Sequence, residues 1–161
     1  MAYLEKIVNQ LVRGLDRVAQ WAAVILMALV VTNIVLRFAW RPILGTYEFV
    51  SFLSAVVISF ALAHCAVQGG HIAVTLIVDQ LKLRTQAVVD IVVDTISIIF
   101  FGLTVWQIAL YATDMVISGE VSPTTKTPFY PFVYGVALGF LALCLVLLVD
   151  LLKSMARVVG K

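Results

Sequence analysis

Residues 48–74 read EFVSFLSAVVISFALAHCAVQGGHIAV, and this stretch decides the fold. Phe49 to Val67 is nineteen residues without a formal charge, which at about 1.5 Å per residue spans roughly the 30 Å hydrocarbon core of a bilayer. The stretch reads as a transmembrane helix with a carboxylate, Glu48, at its entrance. It leaves through Gln68-Gly69-Gly70-His71, where paired glycines end a helix because they tolerate the left-handed conformation that frees the last carbonyls for other donors.

The rest of the chain has the same character. Of its 161 residues 63% are apolar and 12% charged, outside the range of soluble globular domains. That composition predicts an integral membrane protein with no room for a soluble catalytic domain. The formal charge of +2 is scattered among connections, which argues against nucleic acid as a partner. Cys65 and Cys144 fall inside apolar runs and read as small buried residues, not a redox pair. Glu5, Lys6, Asn9, Gln10, Arg13 and Asp16 interrupt the first segment, so it does not read as a secretory signal.

The expected architecture is an all-α membrane protein: four transmembrane helices preceded by an N-terminal amphipathic helix, forming a single membrane domain over residues 1–161. Leu4, Ile7, Val8, Leu11, Leu15 and Val18 recur at spacings of three and four, the pattern of an amphipathic helix over 3–16. It either lies in the membrane interface, the preferred reading, or extends the first span. Spans follow at 17–38, with Thr32 and Asn33 as its polar breaks, and at 46–67. Residues 72–83 read as an interfacial segment, and further spans follow at 85–112 and 129–152. Pro128 and Pro131 open the last one, where a missing N–H costs least, and residues Asp114 to Thr127 form the polar connection before it.

Orientation comes from the basic residues. Lys6, Arg13, Arg17, Lys82, Arg84, Lys153, Arg157 and Lys161 fall on one side, Arg37, Arg41 and Lys126 on the other. By the positive-inside rule both termini are cytoplasmic.

Glu48 shares its level with Arg37 and Arg41, so an ion pair closing the first hairpin is expected, with a docking site for an external partner as the sharper alternative. His64 and His71 stand seven apart, about 10 Å along a helix axis. They cannot hold one haem iron between them, and no third ligand completes a metal site. Gly69, Gly70 and His71 are expected at a helix end near the inner interface, where His71 caps carbonyls or meets lipid phosphate, while His64 packs within the bundle. Asp90 and Asp94 share a helical face; they read as interfacial residues favoured by a helix N-terminus, or as a cation-coupling pair in a small exporter. Gly102, Gly135 and Gly139 offer smooth faces on which a partner helix is expected to pack, internal packing being the alternative. There is no phosphate loop, no nucleophile with a partnering base and no cofactor motif, so no enzyme can be argued.

An arginine closing the first span (Arg37), a carboxylate opening the second (Glu48) and then small and apolar residues up to Gly69-Gly70-His71-Ile72 with Val74 resemble the small membrane subunit of tripartite ATP-independent periplasmic (TRAP) transporters, the DctQ type. Gly119, Pro123, Thr124, Pro128 and Pro131, followed by Leu138-Gly139, are similar to that family's second hairpin. Ala63-His64-Cys65 departs from the aromatic or aliphatic residues of the pattern and leaves His64 without a family role. The resemblance implies a multi-pass protein of the bacterial or archaeal cytoplasmic membrane. Its implied partners are membrane lipid, a large membrane subunit that carries sodium and a carboxylate by an elevator movement, and a periplasmic substrate-binding protein. The small subunit would brace the large one's scaffold. The rival readings are a self-sufficient exporter using Asp90, Asp94 or Glu48, and an assembly factor with no transport partner.

Overall fold

The computed structural model describes residues 2–39, 41, 43–68 and 83–159. They form four helices: α1 over Ala2–Ala39, α2 over Thr46–Val67, α3 over Leu83–Ser118 and α4 over Tyr130–Val159. All four are long and apolar enough to cross a membrane. Residues 69–82, with Gly69, Gly70, His71 and almost all of the expected interfacial segment, lie outside the described residues.

Helix α1 corrects the expectation of a separate amphipathic segment. It runs unbroken through 38 residues, about 57 Å at the α-helical rise, so the first turns extend the span. Its inward stripe is also shifted. Val12 and Ala19 are buried, Val8 and Leu15 are half-buried against the core, and Ile7, Leu11 and Val18 are exposed. The residues at 8, 12, 15 and 19 form one helical face, and that face meets protein.

The helix ends have local causes. Gly45, with φ +81°, starts α2, its carbonyl accepting from the amides of Glu48 (3.0 Å) and Phe49 (3.2 Å). Helix α3 continues past Asp114 to Ser118, because a polar residue ends a hydrophobic run without ending a helix. Gly119 ends it: φ is +64° and the Glu120 amide reaches back to the Met115 carbonyl at 3.3 Å, a Schellman cap. Pro131 sits in the first turn of α4, where its absent N–H leaves no gap in the ladder.

The helices pack in the order α1, α2, α4, α3, with a lesser contact of α1 on α4. Helices α2 and α4 are the middle of this row and run parallel, Val56 lying against Gly135 and Ser59 against Gly139. No residue is buried in the most apolar eighteen-residue stretch of α1 or of α3, against 22% in α2 and 33% in α4. The core is Ala63 and Ala66 of α2 with Ala142, Leu143, Val146 and Leu147 of α4, closed by Val12 of α1. Three of these seven side chains are alanine, for a physical reason. Lipid tails are as apolar as leucine, so helices in a bilayer gain mainly from close van der Waals approach, which small residues permit.

Candidate functional site

The two connections at the end of the bundle away from the termini are tied to one another by hydroxyl chemistry. Glu48, in the first turn of α2, accepts hydrogen bonds through Oε2 from the Ser122 hydroxyl and, at 3.2 Å, from the Thr125 hydroxyl of the α3–α4 connection. Ser122 is fully buried. Its Oγ accepts in turn from the amides of Thr124 (3.2 Å) and Thr125 (3.1 Å), and the hydroxyls of Thr125 and Thr127 lie 2.6 Å apart. The carboxylate thus accepts and Ser122 relays, which leaves the connection's amides partnered in a place where unpartnered ones would be costly.

The connection itself is a tight hairpin. Ser122 N donates to Thr127 O at 2.9 Å, Lys126 N donates to Ser122 O at 3.1 Å, and Val121 and Pro128 form an antiparallel bridge. Lys126 takes φ +58° at the turn, a conformation rare outside glycine. Pro123, Thr124 and Lys126 remain exposed. A Cβ on Gly45 would occupy the place of the Thr125 methyl group, so the first connection fits under the second only because residue 45 is glycine. Beneath this polar layer Phe52 meets the Phe129 ring at 4.8 Å and the Phe132 ring at 5.1 Å. Asn33 Oδ1 accepts from the Ile43 amide at 2.9 Å, and the Thr46 hydroxyl donates to Ile43 O at 2.8 Å. Asn33, a polar break in the first span, thus ties that helix to the first connection.

The expected pairing of Glu48 is therefore different from the observed one. Arg37 and Arg41 are exposed, and among the described residues neither forms an ion pair with Glu48. The carboxylate oxygen Oε2 is instead engaged by hydroxyls. Ser122 and Thr125 are delivered to the carboxylate by a folded hairpin, whereas the arginines stand in or beside the last turn of α1.

The glycines divide. Gly139 is buried against α2, where an added Cβ would lie 2.6 Å from Ser59 Oγ, 2.8 Å from Ser59 Cβ and 2.9 Å from Phe60 Cδ1. Gly135 faces Val56, with 3.4 Å to its nearest methyl. Their spacing of four serves the α2–α4 contact within this chain, which corrects the expectation of a partner helix there. Gly102 is exposed, with nothing within 4 Å of an added Cβ.

A second polar group lies nearer the termini, between α1 and α2. Gln20 Nε2 donates to Asp16 Oδ2 at 2.8 Å, His64 Nδ1 stands 3.9 Å from the same oxygen, and His64 Nε2 meets Gln68 Nε2 at 2.8 Å. The Nδ1 atom is buried with no hydrogen-bond partner. Asp90 and Asp94 are half-buried near the start of α3, and Asp94 has an interaction of its own. Among the described residues no three metal-ligating side chains come together.

Ser122, Thr125 and Gly45 were not singled out by sequence reasoning. The signal was there in the run of hydroxyls at Ser122, Thr124, Thr125 and Thr127, four in six residues.

Four helices long and apolar enough to cross a membrane, with two tightly joined connections at one end, define a multi-pass membrane protein. Residues 26–157 match the family described as tripartite ATP-independent periplasmic transporters, DctQ component. The chain belongs to that family, a family of transporter components and not of enzymes, and is a multi-pass protein of the cytoplasmic membrane. The family implies a tripartite assembly with a large membrane subunit and a binding protein. No curated protein and no solved structure matches the chain.

Proposed function

We propose that this chain is the bracing subunit of a sodium-coupled, binding-protein-dependent transporter for organic acids. It holds the scaffold of the large elevator-type subunit still while that subunit moves substrate and sodium. Both termini lie in the cytoplasm, and the joined connections face the periplasm, where they help to dock the binding protein.

The observation that carries this reading is the exposure of the two flanking helices. Trp21, Val24, Ile25, Met27, Val31 and Val35 of α1 are exposed, and α3 likewise exposes Ile96, Ile99, Phe100, Leu103 and Trp106 around the open Gly102. A row whose outer members bury so little internally has apolar surface for a larger membrane neighbour as well as for lipid. Polar groups are not strung through the middle. Asp90 stands 28 residues before the end of α3, about 42 Å along the axis, while Glu48 lies at the opposite end of the bundle with its Oε2 engaged by hydroxyls. That separation disfavours a self-sufficient exporter running through both.

Reconstitution tests the reading. Liposomes holding this chain with its large subunit should take up the binding protein's carboxylate only with that protein and a sodium gradient. Omitting this chain should abolish uptake. Uptake by this chain alone would make it an exporter or carrier in its own right.

A further inference from the structure

We propose that Glu48 is a positioning residue: it holds the hairpin at 121–128 in the one conformation that receives the binding protein, without presenting its own carboxylate to that protein. The proposal rests on the docking role given above and adds the device that makes docking possible.

The geometry points to an indirect role. Glu48 is half-buried, and its Oε2 accepts from both Ser122 and Thr125. Ser122, through which the carboxylate reaches the amides of Thr124 and Thr125, has no exposed surface. What faces outward is the far side of the hairpin, Pro123, Thr124 and Lys126, with Lys126 held in a left-handed conformation. The hairpin closes itself through two backbone bonds, one bridge, the Ser122 Oγ bonds from the Thr124 and Thr125 amides and the Thr125–Thr127 hydroxyl pair; what these do not supply is support that ties a turn holding such a residue to the helix row. Glu48 and the close seat over Gly45 are that support. Because α2 is in the middle of the helix row, the same carboxylate fixes the hairpin's height and rotation relative to the whole membrane body. A surface ordered before encounter spares the complex the entropy of ordering it on contact.

The test uses the complex with its large subunit in liposomes, under a sodium gradient, with labelled carboxylate of the kind the binding protein retains on purification. Glu48→Ala and Ser122→Ala should raise the binding-protein concentration for half-maximal uptake by about three- to tenfold. The rate at saturating binding protein should stay within about twofold. Glu48→Gln should recover much of the loss, since its amide oxygen still accepts from both hydroxyls. A nitroxide at Lys126→Cys, in a background lacking Cys65 and Cys144, reads the hairpin directly: immobilised with Glu48 present, mobile in Glu48→Ala. A label that stays immobilised in Glu48→Ala overturns the proposal, as does a freed label with an unchanged half-saturation point. Loss of the large subunit from either variant would also overturn it, by assigning Glu48 to assembly. Uptake by the unsubstituted complex that ignores the binding protein would instead refute the docking role itself, and the label mobilities would still report whether Glu48 holds the hairpin.

Discussion

Replacing Gly139 by alanine puts a methyl group into the tightest point of the α2–α4 contact. The new Cβ would lie 2.8 Å from Ser59 Cβ and 2.9 Å from Phe60 Cδ1, whereas carbon atoms rest at about 3.5–4.0 Å. Ser59 Oγ, at 2.6 Å, can rotate away by giving up its bond to the Val56 carbonyl. Ser59 Cβ cannot, because it is fixed to the backbone, so α2 must move by roughly 0.7 Å or more to restore ordinary contact. Overpacking of this kind costs about 1–3 kcal/mol, and alanine returns about 0.8–1.0 kcal/mol through helix propensity. With the upper part of that range applying to a backbone-anchored clash, the net loss is about 2 kcal/mol, or about 4–8 °C in melting temperature. Thermal unfolding in mild detergent, followed by tryptophan fluorescence, measures it. Gly135→Ala meets only Val56 methyl groups at 3.4 and 3.9 Å, so it should melt at or slightly above the unsubstituted protein. Adding Ser59→Gly to Gly139→Ala removes two of the three close atoms and should recover at least half of the loss. A Gly139→Ala protein that melts normally, or equal losses at 135 and 139, would refute the α2–α4 contact as described.

At Gly45 the backbone adds to the crowding: Gly45→Ala carries about 1–2 kcal/mol of left-handed strain plus the collision with the Thr125 methyl, and Thr125→Ser should relieve only the second part in the same melting assay. Val12→Ala should cost about 1–2 kcal/mol by emptying a fully buried site in the core, whereas Leu11→Ala, on the exposed side of the helix, should shift the midpoint by less than about 2 °C; equal effects would put the first turns of α1 back on the membrane surface. His64→Leu removes a buried nitrogen that has no hydrogen-bond partner together with the exposed Nε2–Gln68 contact, so the midpoint should hold within about 2 °C or rise, and a fall beyond about 5 °C that Gln68→Ala does not reproduce would show that the 3.9 Å approach to Asp16 is a working bond. Orientation is read by cysteines at the exposed positions Ser118 and Ala156 in a background without Cys65 and Cys144: an impermeant reagent applied from the periplasm should label 118 and spare 156.

That the chain holds four helices able to span a membrane was legible in the sequence because span length and hydropathy are local properties, set by bilayer thickness and the helical rise. The family, too, was carried by short runs such as Gly69-Gly70-His71-Ile72 with Glu48 and Arg37 before them. Which faces meet was decided only by the tertiary structure. In water an apolar stripe marks the inward side of a helix, but in a bilayer the lipid side is apolar as well, so Val12 and Leu11 look alike until α1 is docked on α2 and α4. Gly135 and Gly139 announced a close approach without saying whose helix would make it; the answer, α2 of the same chain, depends on a helix row that puts α4 beside α2. The partner of Glu48 was hidden for the same reason. Ser122 lies 74 residues away, beyond the rest of α2 and the whole of α3, and only the packing of the helix row brings that hydroxyl, rather than the arginines nearer in sequence, to the carboxylate.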